Sequence, residues 1–206
     1  MADNTWPPGF FDRQDDGDDA DFYAPPRLVT HIDNGAIAAV SELYDELGVP
    51  GGQVLDLMSS WVSHLSRKPS GGLAVLGMNV VELRANPLAD DVVVQDLNVD
   101  PRLPFDDASF DAVVCCASID YLVRPVEVLR EAARVLRPGG VVVLTFSNRC
   151  FPTKAIRGWL ATDEEGRVEI VRAYLERAGF EAVTNELRTE RRLGGDPLYG
   201  AWARSI

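Results

Sequence analysis

The sequence predicts an α/β protein built on a seven-stranded, mostly parallel sheet with helices on both faces and an antiparallel hairpin at its C-terminal end. Three observations carry this. Short apolar runs alternate with segments of helical periodicity from residue 33 onward. The runs are continuously apolar, as expected when helices cover both faces of a parallel sheet. The last two runs are joined by Gly194-Gly195-Asp196-Pro197, the composition of a hairpin turn.

In order along the chain, Ile37, Val40, Leu43, Tyr44 and Leu47 share one helical face, with Asp33 or Asn34 as the cap and Gly48 and Pro50 as the stop. Strands follow at 53–57 (QVLDL), 73–77 (LAVLG), 92–96 (VVVQD) and 110–116 (FDAVVCC). Pro125 opens a helix with Val126, Leu129, Ala133 and Leu136 inward, stopped by Pro138-Gly139-Gly140. A fifth strand occupies 141–146. Thr162 and Glu165 form a capping box for a helix carrying Val168, Val171, Tyr174, Leu175 and Ala178, which ends at Gly179. The final strands lie near 180–188 and 198–204. This is a Rossmann-like arrangement, and such sheets bind ligands at the carboxyl ends of their strands.

The 206 residues suffice for one domain, and the 46% hydrophobic and 25% charged shares are ordinary for a globular chain. A net charge of -12 disfavours nucleic-acid backbones and anionic membrane surfaces as partners. Arginine carries nearly all the positive charge, Lys68 and Lys154 being the lysines. The adjacent Arg191 and Arg192 read as solvated edge charge. No apolar run reaches the ~20 residues of a membrane span. The start MADNTWPPGF lacks the basic and apolar parts of a signal peptide. Three cysteines, two of them adjacent, do not form a disulfide framework and fit a cytoplasmic location. Residues 1–26 read as an acidic, flexible tail before a domain at 27–206. Six aspartates between residues 12 and 21 argue for a solvated arm, while Phe10, Phe11, Phe22 and Tyr23 leave open an arm that folds over a ligand.

VLDL at 54–57, LPFDDASFDAVVC at 103–115 and EVLREAARVLRPGGVVVLTF at 127–146 resemble the type 11 methyltransferase domain family of the class I S-adenosylmethionine-dependent methyltransferases. The resemblance covers most of residues 50–146 and is specific for the superfamily rather than for a substrate. It implies S-adenosyl-L-methionine as cofactor. In the family, an acid ending the first strand helps hold the cofactor's amino group, which here is Asp56, followed by Leu57. A second acid grips the ribose hydroxyls, and Asn79 stands in its place. A third acid meets the adenine amino group, which points to Asp96, with Leu97 adding a backbone contact. The family's G-x-G-x-G loop is replaced by Met58-Ser59-Ser60-Trp61-Val62, where Ser59 and Ser60 offer hydroxyls instead of room. Cys116, closing the fourth strand, completes the candidate cofactor-binding set. Trp61 is either a lid or a core anchor, and His64 is a structural residue.

Two further polar stretches flank this site. Arg27, Thr30 and His31 precede the first helix, and Ser147 to Lys154 follow the fifth strand, where loops shape an acceptor pocket. Arg27, Asn148, Arg149 and Cys150 are candidates for substrate binding. An oxygen or nitrogen acceptor must lose a proton, and His31, Asp120 and Tyr121 are the candidate groups. Cys116 and Cys150 close neighbouring strands about 4.8 Å apart. They either hold a thiophilic acceptor, as cysteines do in arsenite methyltransferases, or serve as small apolar residues. No zinc site is expected, since paired cysteine spacing is lacking and the histidines are His31 and His64. The expected activity is methyl transfer to a small-molecule acceptor. The alternatives are a non-catalytic binding protein that has lost the glycine loop and a metalloid methyltransferase. The oligomeric state is left open.

Overall fold

A computed structural model describes residues 6–190 and 195–206. The Arg191-Arg192 pair and Gly194 of the hairpin turn lie outside the described residues. Seven strands form one sheet in the order β3-β2-β1-β4-β5-β7-β6. β1 (Val54–Leu57), β2 (Leu73–Gly77), β3 (Asp91–Val94), β4 (Phe110–Cys116) and β5 (Leu136–Phe146) run parallel. β7 (Leu198–Arg204) inserts antiparallel between β5 and the edge strand β6 (Thr184–Thr189). Besides one-residue shifts at the start of β1 and β3 and the end of β6, three bounds differ from the sequence reading. β3 ends at Val94, because Gln95 and Asp96 already turn into the loop that lines the site. β5 extends back to Leu136, pairing with Phe110 before the register shifts around Gly139, which sits at φ +81°. β6 starts only at Thr184.

The helices are α1 (Asp19–Tyr23), α2 (Asn34–Glu46), α3 (Val80–Ala85), α4 (Pro125–Val135), α5 (Arg157–Leu160) and α6 (Glu164–Ala178). The two-residue period of the strands divides the core. Val54, Val75, Val114 and Val143 pack under Val40, Leu43 and Tyr44 of α2. Leu55, Leu76, Val113 and Leu144 pack on the other face against α4 and α6. The inward stripe of α4 is Val128, Leu129, Ala132 and Val135. Val126 and Ala133, expected inside, are only half-buried. The cap of α6 is Asp163 rather than Thr162. Asp163 Oδ1 accepts from Gly166 N (2.9 Å), whereas the Thr162 hydroxyl turns back to the carbonyls of Gly158 and Trp159. With the cap one residue later, Glu165 is out of position for a capping box. Among the described residues, no helix is long and apolar enough to cross a membrane.

The acidic N-terminal segment packs on the domain from Trp6 onward. Trp6 stacks on Phe10 (4.5 Å) and meets Tyr174 of α6 edge-on (5.3 Å). Backbone hydrogen bonds join Gly158 N to Phe10 O and Arg157 N to Asp12 O. A side chain at Gly158 would collide with the Phe10 ring, so only glycine lets the segment approach here. Part of the charge that argued for a solvated arm, at Asp12, Asp15 and Asp19, is paired. Buried Asp19 is paired with Arg13 (2.7 Å) and with the buried Lys154 (2.9 Å).

Candidate active site

The carboxyl ends of the parallel strands open into a cavity of about 220 Å³. β2 and α3 contribute Leu76, Gly77, Met78, Asn79 and Glu82. The loop after β3 adds Gln95, Asp96, Leu97 and Asn98. Tyr121 follows β4, and Arg149, Cys150 and Phe151 follow β5. Asp19 and Tyr23 reach in from the N-terminal segment. A smaller hollow of about 70 Å³ shares Met58, Ser59, Ser60 and His31 with it, and is lined further by Asp56, Trp61, His64 and Cys116.

Of the residues singled out from sequence, His31, Ser59, Ser60, Asn79, Asp96, Leu97, Tyr121, Arg149 and Cys150 line the main cavity, and Asp56 and Cys116 line the smaller hollow. Four do neither. The Leu57 side chain is core on the α4 side of the sheet. Asp120 is 2% exposed and turned inward, with Oδ2 lacking a hydrogen-bond partner among the described residues. Arg27 lies over the Phe22 ring (4.6 Å) and donates to Phe22 O, bracing the N-terminal segment. Asn148 accepts from the adjacent Ser147 hydroxyl (3.3 Å). Glu82, Asn98 and a place at the cavity for Asp19 were missed. Phe22 and Tyr23, the anchors that left open an arm folding over a ligand, are the sequence signal that points to Asp19 beside them.

The loop after β1 keeps a glycine-like backbone without glycine, for Met58 sits at φ +54°. Ser59 N donates to Leu76 O (2.8 Å), so the loop continues alongside β2 instead of turning that amide to the cavity. This close approach needs Gly77, whose Cβ would press on the Ser59 carbonyl. The serine hydroxyls are held too, Ser59 by Asp56 (2.6 Å) and Ser60 by Glu82 (2.6 Å). Trp61 donates to Val29 O (3.1 Å) and straps down the segment before α2. Met58→Gly is expected to change stability by no more than about 1 kcal/mol, relief of the left-handed strain offsetting lost packing. It should bring no gain in ligand affinity, because Ser59 N stays on Leu76 O. Denaturant unfolding and calorimetry check both.

Asn79 has no hydrogen-bonding capacity left for a ligand. Its Oδ1 caps α3 by accepting from Val81 N (2.9 Å) and Glu82 N (3.1 Å). Its amide donates to Tyr23 O (2.8 Å) and Ala24 O (3.0 Å). The residue in the place of the family's ribose acid therefore clamps the N-terminal segment.

Residues 72–144 match the family profile described as "Methyltransferase domain". Over that stretch, about a third of the chain, the sequence is similar to this methyltransferase family. A demethylmenaquinone methyltransferase of Mycobacterium sp. (strain KMS) is 41% identical over 115 residues, 52% of this chain and 49% of that protein. The chain spans about half the length of the curated relatives it matches. An S-adenosylmethionine-dependent methyltransferase from Archaeoglobus fulgidus superposes with a TM-score of 0.59 at 14% identity, covering 82% of this chain and 94% of that one. The [4+2]-cyclase SpnF gives 0.60 at 17% identity, covering 88% and 89%. At such identities the likeness is one of fold, and fold alone does not set the reaction.

Burial shifts several ionisable groups of the site. Burial pushes Asp56 up to about 7, against the Ser59 and Ser63 hydroxyls that favour its charged form. Burial raises Cys116 to about 12 and raises Cys150 as well, so both thiols are protonated at neutral pH. They also pack against different core clusters, Cys116 with the α2 core and Cys150, in the loop after β5, with the α4 and α6 core. This packing lends no support to the shared thiophilic site that strand adjacency allowed. Among the described residues, no group of three His, Cys, Asp or Glu could hold a metal. His31 stands edge-on to Phe151 (5.1 Å) at the rim, and desolvation lowers its pKa below the usual value. The Tyr121 hydroxyl accepts from Phe151 N (2.8 Å), and burial raises its pKa.

Proposed function

We propose that this chain transfers a methyl group from S-adenosylmethionine to a small-molecule acceptor. The observation that carries the reading is the single cavity reaching from Asp96 and Leu97, past Met58, to Tyr121 and Cys150. Its chemistry suits an adenosyl ligand. Leu76, Leu97 and Leu122 offer apolar walls for a flat base, and Asp96 offers an acceptor for an exocyclic amine. When bound, the cofactor supplies an electrophilic sulfonium methyl whose bonding electrons return to sulfur on transfer. The chain's own residues bind, orient and keep water out. Tyr23 and Asp19 close the cavity from the N-terminal side. The Tyr121 and Phe151 rings, 5.8 Å apart, provide flat contact for a planar, hydroxylated acceptor. His31, neutral at pH 7 because its pKa is lowered, takes the acceptor's proton. Asp120 is unsuited to that role because it faces the core. The demethylmenaquinone methyltransferases among the relatives support a small-molecule substrate. Three free cysteines suit a reducing, cytoplasmic setting.

A second reading, a binding protein without methyl transfer, draws on the Ser59 amide held by Leu76 and on the engaged Asn79. Calorimetric titration with S-adenosylhomocysteine tests the cofactor. Micromolar or tighter binding is expected, and Asp96→Ala should weaken it by about 1–3 kcal/mol. No heat and no thermal shift at millimolar ligand would sink the enzyme reading. Binding without methyl transfer to any of a panel of phenols and quinols would favour the second.

A further inference from the structure

An adenosyl ligand brings two adjacent hydroxyls that need an acceptor, and Asn79 has none to give. Three carboxylates line the cavity: Asp19, Glu82 and Asp96. Asp19 is held by Arg13, Lys154 and Asn98. Asp96 lies on the loop after β3 and accepts from Asn98 N within that loop (2.8 Å). Glu82 stands one helical turn beyond Asn79, on the wall formed by Gly77 and Met78. Arg27 N donates to its Oε1 (2.6 Å) and the Ser60 hydroxyl to its Oε2 (2.6 Å).

These two bonds fix the carboxylate from opposite sides without exhausting it. An ionised carboxylate has about four acceptor sites, so each oxygen keeps one. Two oxygens on one carbon match two hydroxyls on neighbouring carbons, and both bonds are charge-assisted.

We propose that Glu82, rather than Asn79, receives the two ribose hydroxyls of the adenosyl ligand. The assignment rests on the cofactor reading above. It ties the ligand to the backbone at Arg27 as well as to the β1 loop, because all three meet on one carboxylate. The family's ribose position is thereby divided. Asn79 holds the N-terminal segment in place, and the charged group for the hydroxyls moves three residues along the chain.

The test is calorimetry on the whole chain with S-adenosylhomocysteine and its 2′-deoxy analogue. The wild-type protein is expected to bind the deoxy analogue at least 10-fold more weakly. Glu82→Gln should bind S-adenosylhomocysteine roughly 10-fold more weakly than wild type and lose most of the discrimination between the two ligands. Far-UV circular dichroism and thermal unfolding confirm that the variant is folded. Asn79→Ser, which retains a capping oxygen, should keep the discrimination. A Glu82→Gln variant that discriminates as well as wild type overturns the assignment and leaves the cofactor reading standing. Wild-type protein that binds neither ligand overturns both.

Discussion

Replacing Lys154 by methionine is expected to cost about 3 kcal/mol of stability and to free the N-terminal segment, because breaking a buried pair leaves its partner's charge under-compensated. The Lys154 ammonium is fully buried. It meets Asp19 Oδ1 at 2.9 Å, Asp15 Oδ2 at 3.2 Å and the Gly17 carbonyl at 3.0 Å. Burial works to raise the pKa of Asp19, but hydrogen bonds from Arg13, Lys154 and Asn98 outweigh it and hold the carboxyl below its ordinary value. A depressed carboxyl stabilises the fold above its unfolded pKa and loses that contribution as pH falls through the folded one. The segment should therefore loosen in acid, below about pH 4. Denaturant unfolding and limited proteolysis at residues 12–24 report the two effects. A loss under about 1 kcal/mol, with unchanged proteolysis, would mean that the aromatic contacts of Trp6 and Phe10 alone hold the segment. Adding Asp19→Leu should not recover the loss, since it strips the nearly buried Arg13 guanidinium of its carboxylate.

Asp120→Asn is expected to stabilise the protein at pH 8 by at most about 4 kcal/mol, from roughly 1.36 kcal/mol per pKa unit. Burial pushes the Asp120 carboxyl from 3.8 to about 7. The sign is opposite to that of Asp19. A carboxyl with a raised pKa favours the fold while protonated, and stability is lost as pH rises from about 4 through about 7. The variant and the wild type should converge within about 1 kcal/mol at pH 4 and separate across that window. Stability curves at pH 4, 6 and 8 decide it. A difference that does not vary with pH would show that Asp120 stays ionised, compensated by the Arg167 guanidinium. Cofactor affinity should be unchanged, because the side chain faces away from the cavity.

The strands were legible because a strand covered on both faces must be apolar throughout, a property written in consecutive residues. β2 and β4 begin and end where the sequence places them. Helix details were less legible. Thr162 and Asp163 are both competent caps, and the choice depends on where the Thr162 hydroxyl finds carbonyls, at Gly158 and Trp159. The inward stripe of α4 differs from expectation at Val126 and Ala133. A small phase error in a helix exchanges buried and half-buried positions without altering the pattern's period.

The same division runs through the site. Parallel strands deliver their carboxyl ends to one edge, so Ser59, Asn79, Asp96, Tyr121 and Cys150 could be placed at a common rim from chain position. Which of their atoms remain available depends on partners far along the chain. Asn79 is taken by the backbone of Tyr23 and Ala24, and Asp19 by Lys154. Asp120 and Tyr121 are neighbours in sequence, yet one side chain enters the core and the other lines the cavity. Elements follow from local periodicity, because burial on one face repeats every two or every 3.6 residues. Facing and occupancy follow from packing between distant segments, where a carboxylate goes to whichever donor the assembled fold brings within reach.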